Sequence, residues 1–191
     1  ILTERTPLRP DARKGRLRAD LEAALRAETG FQTLVLRAGD FLDDRVTGNW
    51  FDGQIASPVA RGRVAYPGRL DAVHAWAWLP DLARTAEALA ARRGSLPRWA
   101  AYGFEGYSLT GAELIAAMSR AVGRDLAPKT FPWLALRLAA PFWPLGRELL
   151  EMRYLWDKPH HLDGAAFAAA LPEFRATDPA EAVAEAVHAV V

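Results

Sequence analysis

The chain has 191 residues, 51% of them hydrophobic and 25% charged, which is the composition of an ordinary folded protein. Its 24 basic and 23 acidic side chains give a formal net charge of +1. Because the sequence contains no run of basic residues, we expect no nucleic-acid partner. The absence of cysteine excludes disulfides, thiolate metal sites and cysteine nucleophiles, and it is compatible with the cytoplasmic location that we expect.

The most apolar stretch, about residues 131–145, contains Arg137 and three prolines. It is too short and too interrupted to span a bilayer, so we expect no membrane partner. The polar beginning of the chain lacks the apolar segment of a signal peptide. Since the first residue is Ile1, we expect the chain to be part of a longer protein.

The first predicted helix runs from Asp11 to Glu28, with Gly30 as its C-terminal cap. Its leucines recur every fourth residue and so lie on one face, at Leu17, Leu21 and Leu25. A buried strand is predicted at about 31–37, and it ends at an arginine before a glycine turn.

The residues after this strand are the first candidates for a site, because ligands of open α/β sheets bind beyond the carboxyl ends of the strands. Arg37 carries a charge at the end of an apolar strand and needs a partner. That partner is either an acidic side chain in a structural ion pair or a bound anion.

The middle of the chain alternates between strand and helix patterns. Residues 48–61 are predicted to contain a helix, and 64–68 a short strand. The alternation of large and small residues from His74 to Leu79 predicts a strand with one packed face. Pro80 and Asp81 then begin a helix that runs to about Ala91, and a second buried strand is predicted at 98–104.

The C-terminal part is predicted to contain three helices, with an aromatic, proline-punctuated segment at 131–159. Thr110 and Glu113 form the pattern of a capping box, which begins a helix that ends at Gly123. An extended piece at 125–130 and a small helix at 163–170 precede a final helix at 179–190, capped by Asp178 with Pro179 in its first turn. Strands alternating with helices predict an α/β fold, and only two long buried strands are recognisable, so the sheet is expected to be incomplete.

Several catalytic patterns are missing or incomplete. No glycine-rich loop of a dinucleotide fold and no Walker loop is present, so the turn that binds a pyrophosphate is not in this chain. Residues 106–111 resemble a nucleophile elbow, but the spacing is wrong by one residue, which disfavours a serine hydrolase. His160 and His161 are adjacent and are predicted to be exposed loop histidines, and no metal site is expected.

The tryptophans divide into two groups. Trp99, Trp133 and Trp143 lie in apolar runs and are predicted to be core residues. A second group lies close to polar residues at the ends of elements and either lines a cavity or packs in the core: Trp50, Trp76 and Trp78. Asp81 either begins its helix or contacts a substrate.

Four segments, taken in order, resemble the C-terminal part of an extended or atypical short-chain dehydrogenase/reductase of the NAD-dependent epimerase/dehydratase family. They are Leu34–Phe41, Asn49, His74–Arg84 and Thr177–Val183. More narrowly, Phe131-Pro132-Trp133 and Arg147–Trp156 resemble a bacterial subgroup called nucleoside-diphosphate-sugar epimerases.

The resemblance implies an α/β fold, the C-terminal part of a Rossmann-like NAD(P)-binding fold with a small α/β substrate-binding subdomain. Residues 1–43 and 81–104 would belong to the Rossmann-like part, and 44–80 and 105–191 to the substrate-binding subdomain and closing helices. The implied function is part of an NAD(P)-dependent oxidoreductase or sugar-nucleotide epimerase/dehydratase-like protein. The alternatives are a non-catalytic NAD(P)-binding sensor and a scaffold without a ligand.

The resemblance also implies site residues. Those expected beside the cofactor are Arg37, Ala38, Gly39, Asp40 and Phe41. Those expected to contact a small-molecule substrate are Asn49, Trp50, Trp76, Trp78 and Asp81.

At the family's catalytic Tyr-x-x-x-Lys this chain has Lys14 and Arg18. If they keep the catalytic position, a desolvated Lys14 could donate a proton, whereas Arg18 could hold a phosphate but not exchange a proton. Two cations one helical turn apart on the same face would need an anion between them. The alternative is that both side chains are exposed and solvated at the start of the helix.

NAD(P) is expected to bind only together with an N-terminal Rossmann half. The first helix is expected either to join a homodimer contact or to pack only within its own chain, and its leucines are expected to be buried against the sheet.

Overall fold

The computed structural model describes residues 1–10 and 12–191. Asp11, the predicted first residue of the first helix, lies outside the described residues. Among these residues, no helix combines the length and apolarity that crossing a membrane requires.

Across the described residues the chain forms eight α-helices and seven strands, in addition to short π and 3-10 turns. The helices are α1 (Arg13–Ala27), α2 (Leu79–Ala91), α3 (Gly111–Ala121), α4 (Trp133–Ala139), α5 (Pro144–Glu151), α6 (Tyr154–Asp157), α7 (Ala165–Ala170) and α8 (Pro179–His188). The strands are β1 (Thr33–Arg37), β2 (Asp40–Leu42), β3 (Arg63–Tyr66), β4 (Val73–Trp78), β5 (Trp99–Gly103), β6 (Tyr107–Thr110) and β7 (Ala127–Thr130).

The strands pair in three small sheets. β1 lies parallel to β5, with Thr33 opposite Trp99 and Arg37 opposite Gly103. β4 is the central strand of a second sheet, parallel to β2 on one side and antiparallel to β6 on the other. β3 and β7 form a parallel pair. Parallel strands joined by helices confirm the predicted α/β class.

Two hydrophobic cores hold these elements together. The larger one surrounds β4 and includes buried side chains of α3 and α8, such as Leu114, Met118, Val183 and Val187. The smaller one joins the β1–β5 pair to α2 and α7, and its buried residues are Ala77, Leu89, Tyr102, Phe104, Phe167 and Leu171. The boundaries expected for a Rossmann-like part and a substrate-binding subdomain stay a prediction.

Both predicted N-terminal caps are present. Thr110 and Glu113 form the complete capping box of α3, and the Asp178 carboxylate accepts a hydrogen bond from the Ala180 N–H at the start of α8. Gly123, just beyond α3, has a positive φ of 66°, a conformation that glycine adopts without steric cost. The local signals in this part of the chain therefore predicted the helix ends correctly.

Gly30 is not a helix cap. α1 ends at Ala27 and is capped by Glu28 in an extended conformation, and the Glu28 carboxylate accepts the N–H groups of Thr29 and Gly30. The helix-terminal hydrogen bond is made by the Glu28 N–H, which donates to the Ala24 carbonyl. The prediction of one packed face for β4 is also wrong: His74 to Trp78 are all buried, because Trp76 and Trp78 pack in the larger core and Ala77 packs in the smaller one.

The leucine face of α1 is largely uncovered. Leu17 and Leu21 are 59% and 58% exposed, and only Leu25 is half-buried, so packing of the leucines against the sheet is wrong for the first two. Polar contacts attach the helix instead: Glu22 pairs with Arg37 at 2.5 Å, and Arg26 lies over the Trp99 ring. A homodimer contact through this helix stays a prediction.

Of the three tryptophans predicted for the core, one is buried there. Trp133 is buried, and its indole N–H donates to the Pro67 carbonyl at 2.7 Å. Trp99 is half-buried at the β1–β5 edge, and Trp143 is 44% exposed, so the core prediction is wrong for Trp143. Trp143 caps the start of the short helix α5, where the apolar sequence does not correspond to a buried face.

The capping box of α3 yields a test of stability. The Thr110 hydroxyl accepts the Glu113 N–H at 3.2 Å, and Glu113 accepts the Thr110 N–H at 2.8 Å. We expect Thr110→Val to lower the free energy of unfolding at neutral pH by about 1 kcal/mol, the typical value of such a cap. Urea titration followed by circular dichroism measures this loss.

The loss should depend on pH. The backbone and hydroxyl of Thr110 lower the pKa of Glu113. The stabilising effect is therefore present above the unfolded-state pKa and lost as the pH falls through the folded-state pKa, so the cost of Thr110→Val should shrink in acid. Thr130→Val, at an exposed threonine, is the control, and an equal loss in both variants would contradict the prediction.

Candidate functional site

The carboxyl end of β1 is a tight corner between two sheets. β1 ends at Arg37, Ala38 and Gly39 turn the chain, and β2 begins at Asp40 in the sheet of β4. The backbones touch at this corner, since a Cβ on Gly39 would lie 2.2 Å from the Ala75 carbonyl oxygen. The predicted cofactor-side segment 37–41 is thus pressed onto the central strand.

Arg37 forms a structural ion pair, the first of the two alternatives left open by the sequence. Its guanidinium donates two hydrogen bonds to Glu22 of α1, at 3.2 and 2.5 Å. The hydrogen bond to Glu22 raises the pKa of Arg37 above its ordinary value. Both side chains are largely covered, so the pair ties α1 to the end of β1.

Asp40 is held from inside by a buried histidine. The His74 Nε2 lies 2.7 Å from the Asp40 Oδ2, and the exposed fractions of the two side chains are 3% and 24%. The carboxylate is therefore fixed in orientation by the imidazole while it remains accessible to a ligand. An oriented carboxylate of this kind can accept hydrogen bonds from hydroxyl groups.

His74 is in turn held by two rings. It stacks on Trp156 with centroids 4.2 Å apart and an interplanar angle of 3°, and His160 meets it edge-on at 4.5 Å. The prediction of two exposed loop histidines is wrong, because both are half-buried. The His160 N–H donates to the Val73 carbonyl at 3.0 Å, which folds the loop against β4, and burial lowers the pKa of His160.

Trp156 is the centre of an aromatic cluster. Its ring lies 5.2 Å from Trp50, 5.7 Å from Tyr66 and 5.9 Å from Trp76, measured between centroids. Burial, and to a smaller extent the Asp40 carboxylate, raises the pKa of the Tyr66 hydroxyl. Tyr66 therefore stays protonated at neutral pH and is not a base.

The predicted substrate tryptophans are mostly covered by protein. Trp76 is completely buried and Trp78 is 3% exposed, whereas Trp50 is half-buried in the aromatic cluster. Of the two alternatives for this group, core packing describes Trp76 and Trp78. Trp50 retains an exposed part that a ligand could reach.

Asn49 and Asp52 organise the turn that follows β2. The Asn49 Oδ1 accepts the Asp52 N–H at 3.1 Å, and the Asp52 Oδ2 accepts the N–H groups of Thr47 and Gly48 at 2.6 and 3.1 Å. The second carboxylate oxygen of Asp52 is buried without a hydrogen-bond partner among the described residues. Asn49 is thus occupied in shaping the turn.

Asp81 connects two helix beginnings. It is 1% exposed and lies in the first turn of α2, where it accepts hydrogen bonds from Arg84 at 2.5 Å and from the Thr177 N–H and hydroxyl at 2.7 and 2.9 Å. Both carboxylate oxygens are used. These contacts favour the helix-start alternative over a substrate contact.

Lys14 and Arg18 are not brought together around one anion. The Lys14 Nζ lies 2.6 Å from Glu148 of α5, with 42% of the lysine side chain exposed. Arg18 is exposed and makes no ion pair within residues 1–10 and 12–191. Lys14 is thus paired with a carboxylate of its own chain, and Arg18 does not share that carboxylate.

The structure brings Asp40, Trp50 and Trp76 together around two residues that sequence reasoning did not select, His74 and Trp156. A histidine inside an otherwise apolar strand was the signal available for His74, because a buried imidazole needs a polar partner. Trp156 had no comparable signal. Its contacts come from segments that are far apart in the sequence.

Comparisons by sequence find no matching family model and no matching curated protein. Solved structures do match. A putative epimerase from Burkholderia cenocepacia J2315 has a TM-score of 0.71 at 15% identity, over 100% of this chain and 57% of that one. The human epimerase family protein SDR39U1, solved with NADPH, has a TM-score of 0.70 at 19% identity, over 98% and 59%.

UDP-glucose 4-epimerase from Bifidobacterium longum, in complex with NAD+ and UDP, has a TM-score of 0.66 at 16% identity, over 99% of this chain and 57% of that one. The chain therefore has the fold of the C-terminal portion of Rossmann-like epimerase/dehydratase proteins, the extended short-chain dehydrogenases/reductases. It spans a little more than half of the length of these structures. The fold implied by the sequence resemblance is confirmed.

The Asp40–His74 pair can be tested by truncating the carboxylate. Asp40→Ala leaves a buried imidazole nitrogen without its partner, so we expect the free energy of unfolding to fall by about 1–3 kcal/mol. Asp44→Ala, at an exposed aspartate of the next loop, should change it by less than about 0.5 kcal/mol. Denaturant titration measures both variants.

A double-mutant cycle with His74→Phe separates the pair from general disruption. If the two side chains interact as the distance indicates, the losses of Asp40→Ala and His74→Phe should not add in the double variant. If the two losses of unfolding free energy add in the double variant, the contact between Asp40 and His74 does not contribute to stability.

Proposed function

We propose that the chain is part of an NAD(P)-dependent oxidoreductase or sugar-nucleotide epimerase/dehydratase-like protein. In this proposal it supplies the substrate pocket and one wall of the nicotinamide site. The observation that carries the proposal is the corner at residues 37–41, where the carboxyl end of β1 presents an oriented, accessible carboxylate. Carboxyl ends of parallel strands are where α/β folds of this kind bind their ligands.

The edge of β1 supports the same proposal. Among the described residues β1 pairs only with β5, and its own residues are all half-buried. Two paired strands with an open edge are marginal by themselves, and open edges invite further strands. The proposed function places additional parallel strands of a longer protein along β1, together with the glycine-rich loop that this sequence lacks.

In this proposal Asp40, His74 and Gly39 have different roles. Asp40 accepts a hydrogen bond from a ligand hydroxyl, and His74 holds the carboxylate in the orientation required. Gly39 has no side chain, so the backbone at this position can approach β4 closely. The position of the Asp40 carboxylate is therefore fixed by a strand of the sheet and not by a loop. NAD(P), when bound, would supply the hydride chemistry.

The solved neighbours support the ligand class. The human protein was solved with NADPH, and the Bifidobacterium enzyme with NAD+ and UDP. By analogy, we propose NAD(P) as cofactor and a sugar nucleotide or similar small molecule as substrate.

A second candidate is a non-catalytic NAD(P)-binding sensor. The observation that favours it is the environment of Lys14, which is partly exposed and ion-paired with Glu148, not enclosed with a substrate oxygen. In this candidate the fold binds the cofactor and lacks an acid–base group at the family's catalytic position.

Measurements of cofactor binding test whether this chain binds NAD(P) by itself or only as part of a longer protein. We expect the isolated 191 residues to show no binding of NADPH or NADH by calorimetry, because the amide-lined loop that holds a pyrophosphate is not in this sequence. A longer protein that contains this chain should bind, with quenching of tryptophan fluorescence. A micromolar dissociation constant for the isolated chain would contradict the expectation.

Lys14 and Arg18 can be assigned by paired substitutions in the longer protein. If they keep the catalytic position, Lys14→Met should abolish turnover, and Arg18→Met should weaken binding of NADPH or of an acidic ligand by about 1.5–3 kcal/mol, the size of a charged hydrogen bond. Steady-state kinetics and calorimetry measure the two effects.

Glu148→Gln is the matched control, because it breaks the same ion pair and leaves the lysine in place. A proton donor predicts loss of activity in Lys14→Met but not in Glu148→Gln. If binding and turnover are unchanged in all the variants, Lys14 and Arg18 are exposed surface residues and do not occupy the catalytic position.

A further inference from the structure

The hairpin of α4 and α5 exposes an unusual amount of apolar surface. Phe142, at the turn, is 91% exposed, and Leu134 and Leu138 on α4 are 70% and 72% exposed. Leu145 and Trp143, where α5 begins, are 50% and 44% exposed. We call these five residues, together with Arg137 and Arg147, the hairpin patch.

The exposure follows from the way the hairpin packs. α4 turns Trp133 and Leu136 toward the large core and buries Ala140 behind them. Leu134 and Leu138, one helical turn apart, are therefore left together on the outer face. The buried Gly146 lies directly against the Trp143 ring. A Cβ at Gly146 would be 2.8 Å from a carbon of this ring, so the ring packs at the surface of the turn only because residue 146 is glycine.

The charge of the hairpin patch is positive and unbalanced. Arg137 and Arg147 are exposed, and within the described part of the chain neither guanidinium forms an ion pair or a hydrogen bond. The nearby acids of α5 have partners in the N-terminal part of the chain: Glu148 binds Lys14 at 2.6 Å, and Glu151 accepts the Arg13 N–H. Leucine and aromatic side chains flanked by arginines that have no ion-pair partner are the features of an interfacial amphipathic element.

We propose that the hairpin patch is a docking surface for an anionic lipid membrane. Phe142 and Trp143 enter the boundary between headgroups and acyl chains, where aromatic rings of this kind are favoured. Leu134, Leu138 and Leu145 follow them, and the two arginines pair with lipid phosphates. Such peripheral binding needs no spanning helix, so the sequence argument against a membrane partner, which concerned a spanning segment only, does not apply to it.

A second copy of the chain fits the hairpin patch less well. A two-fold interface must supply its own counter-charges, since the same surface occurs on both sides. Here Arg137 and Arg147 would be enclosed with their own copies, while the acids of α5 are already engaged by α1. An anionic bilayer supplies the missing negative charge and an apolar layer at once.

The test is co-sedimentation of the 191-residue chain with vesicles. We expect binding to vesicles of mixed phosphatidylserine and phosphatidylcholine, and much weaker binding to phosphatidylcholine alone. Phe142→Gln should lower the partition coefficient at least about tenfold, the effect of keeping one large apolar side chain in water. Arg137→Gln with Arg147→Gln should lower it about thirtyfold on anionic vesicles, because each arginine near such a surface contributes about 1 kcal/mol.

Matched controls separate the hairpin patch from general surface effects. Phe31→Gln replaces a 52% exposed phenylalanine elsewhere, and Arg61→Gln with Arg63→Gln removes two exposed arginines outside the hairpin patch. These variants should bind vesicles as the parent does, and circular dichroism should show every variant folded.

Three outcomes would overturn the proposal: no sedimentation of the parent with anionic vesicles, equal binding to both vesicle types, or equal losses in the control variants. A dimer by light scattering that dissociates on Phe142→Gln, without vesicle binding by the parent, would assign the hairpin patch to a second copy instead.

Discussion

The close approach of backbones at Gly39 is the constraint on which the arrangement of this chain depends. A Cβ at this position would overlap the Ala75 carbonyl, so only glycine lets β1 turn directly into β2 against β4. The two cores meet at this corner, because β1 belongs to the smaller core and β2 to the larger one. The position of Asp40, and with it the candidate site, follows from this contact.

At the same corner, both hydrophobic packing and a hydrogen bond determine the position of Asp40. The cores fix β4, and β4 carries His74, which then orients Asp40. The aromatic ring of Trp156 stacks on the imidazole and covers it, while Asp40 keeps an exposed part. The hydrogen bond between the two side chains thus connects the buried core to a carboxylate that a ligand can reach.

The exposed apolar residues fall into two kinds of surface. The first surface consists of α1 and the open edge of β1, and an ion pair and a cation–π contact hold this helix to its own chain. In the proposed function, additional strands of a longer protein lie along the edge of β1. The hairpin patch is aromatic at its tip and positively charged. The two surfaces therefore differ in what could cover them, although both expose leucines at similar fractions.

The sequence by itself determined the α/β class, the first, second, third and last two helices, the starts of α3 and α8, and most of the strands, but it did not indicate α4, α5, α6, β2 or β6. Those features depend on local patterns, such as the capping box at Thr110, the left-handed Gly123 and the alternation along β4. The resemblance carried by residues 34–41 and 177–183 also predicted the fold correctly. These signals are contained within a few consecutive residues, so they can be recognised without knowing what packs against them.

Only the tertiary structure decided which side chains meet. Trp156 stacks on His74 from 82 positions away, Asp81 binds Thr177 across 96 positions, and Lys14 pairs with Glu148 across 134. The exposure of Leu17 and Trp143, against the expectation of burial, has the same origin. Periodicity shows that a helix has an apolar face, but whether another element covers that face depends on parts of the molecule that the local sequence does not describe.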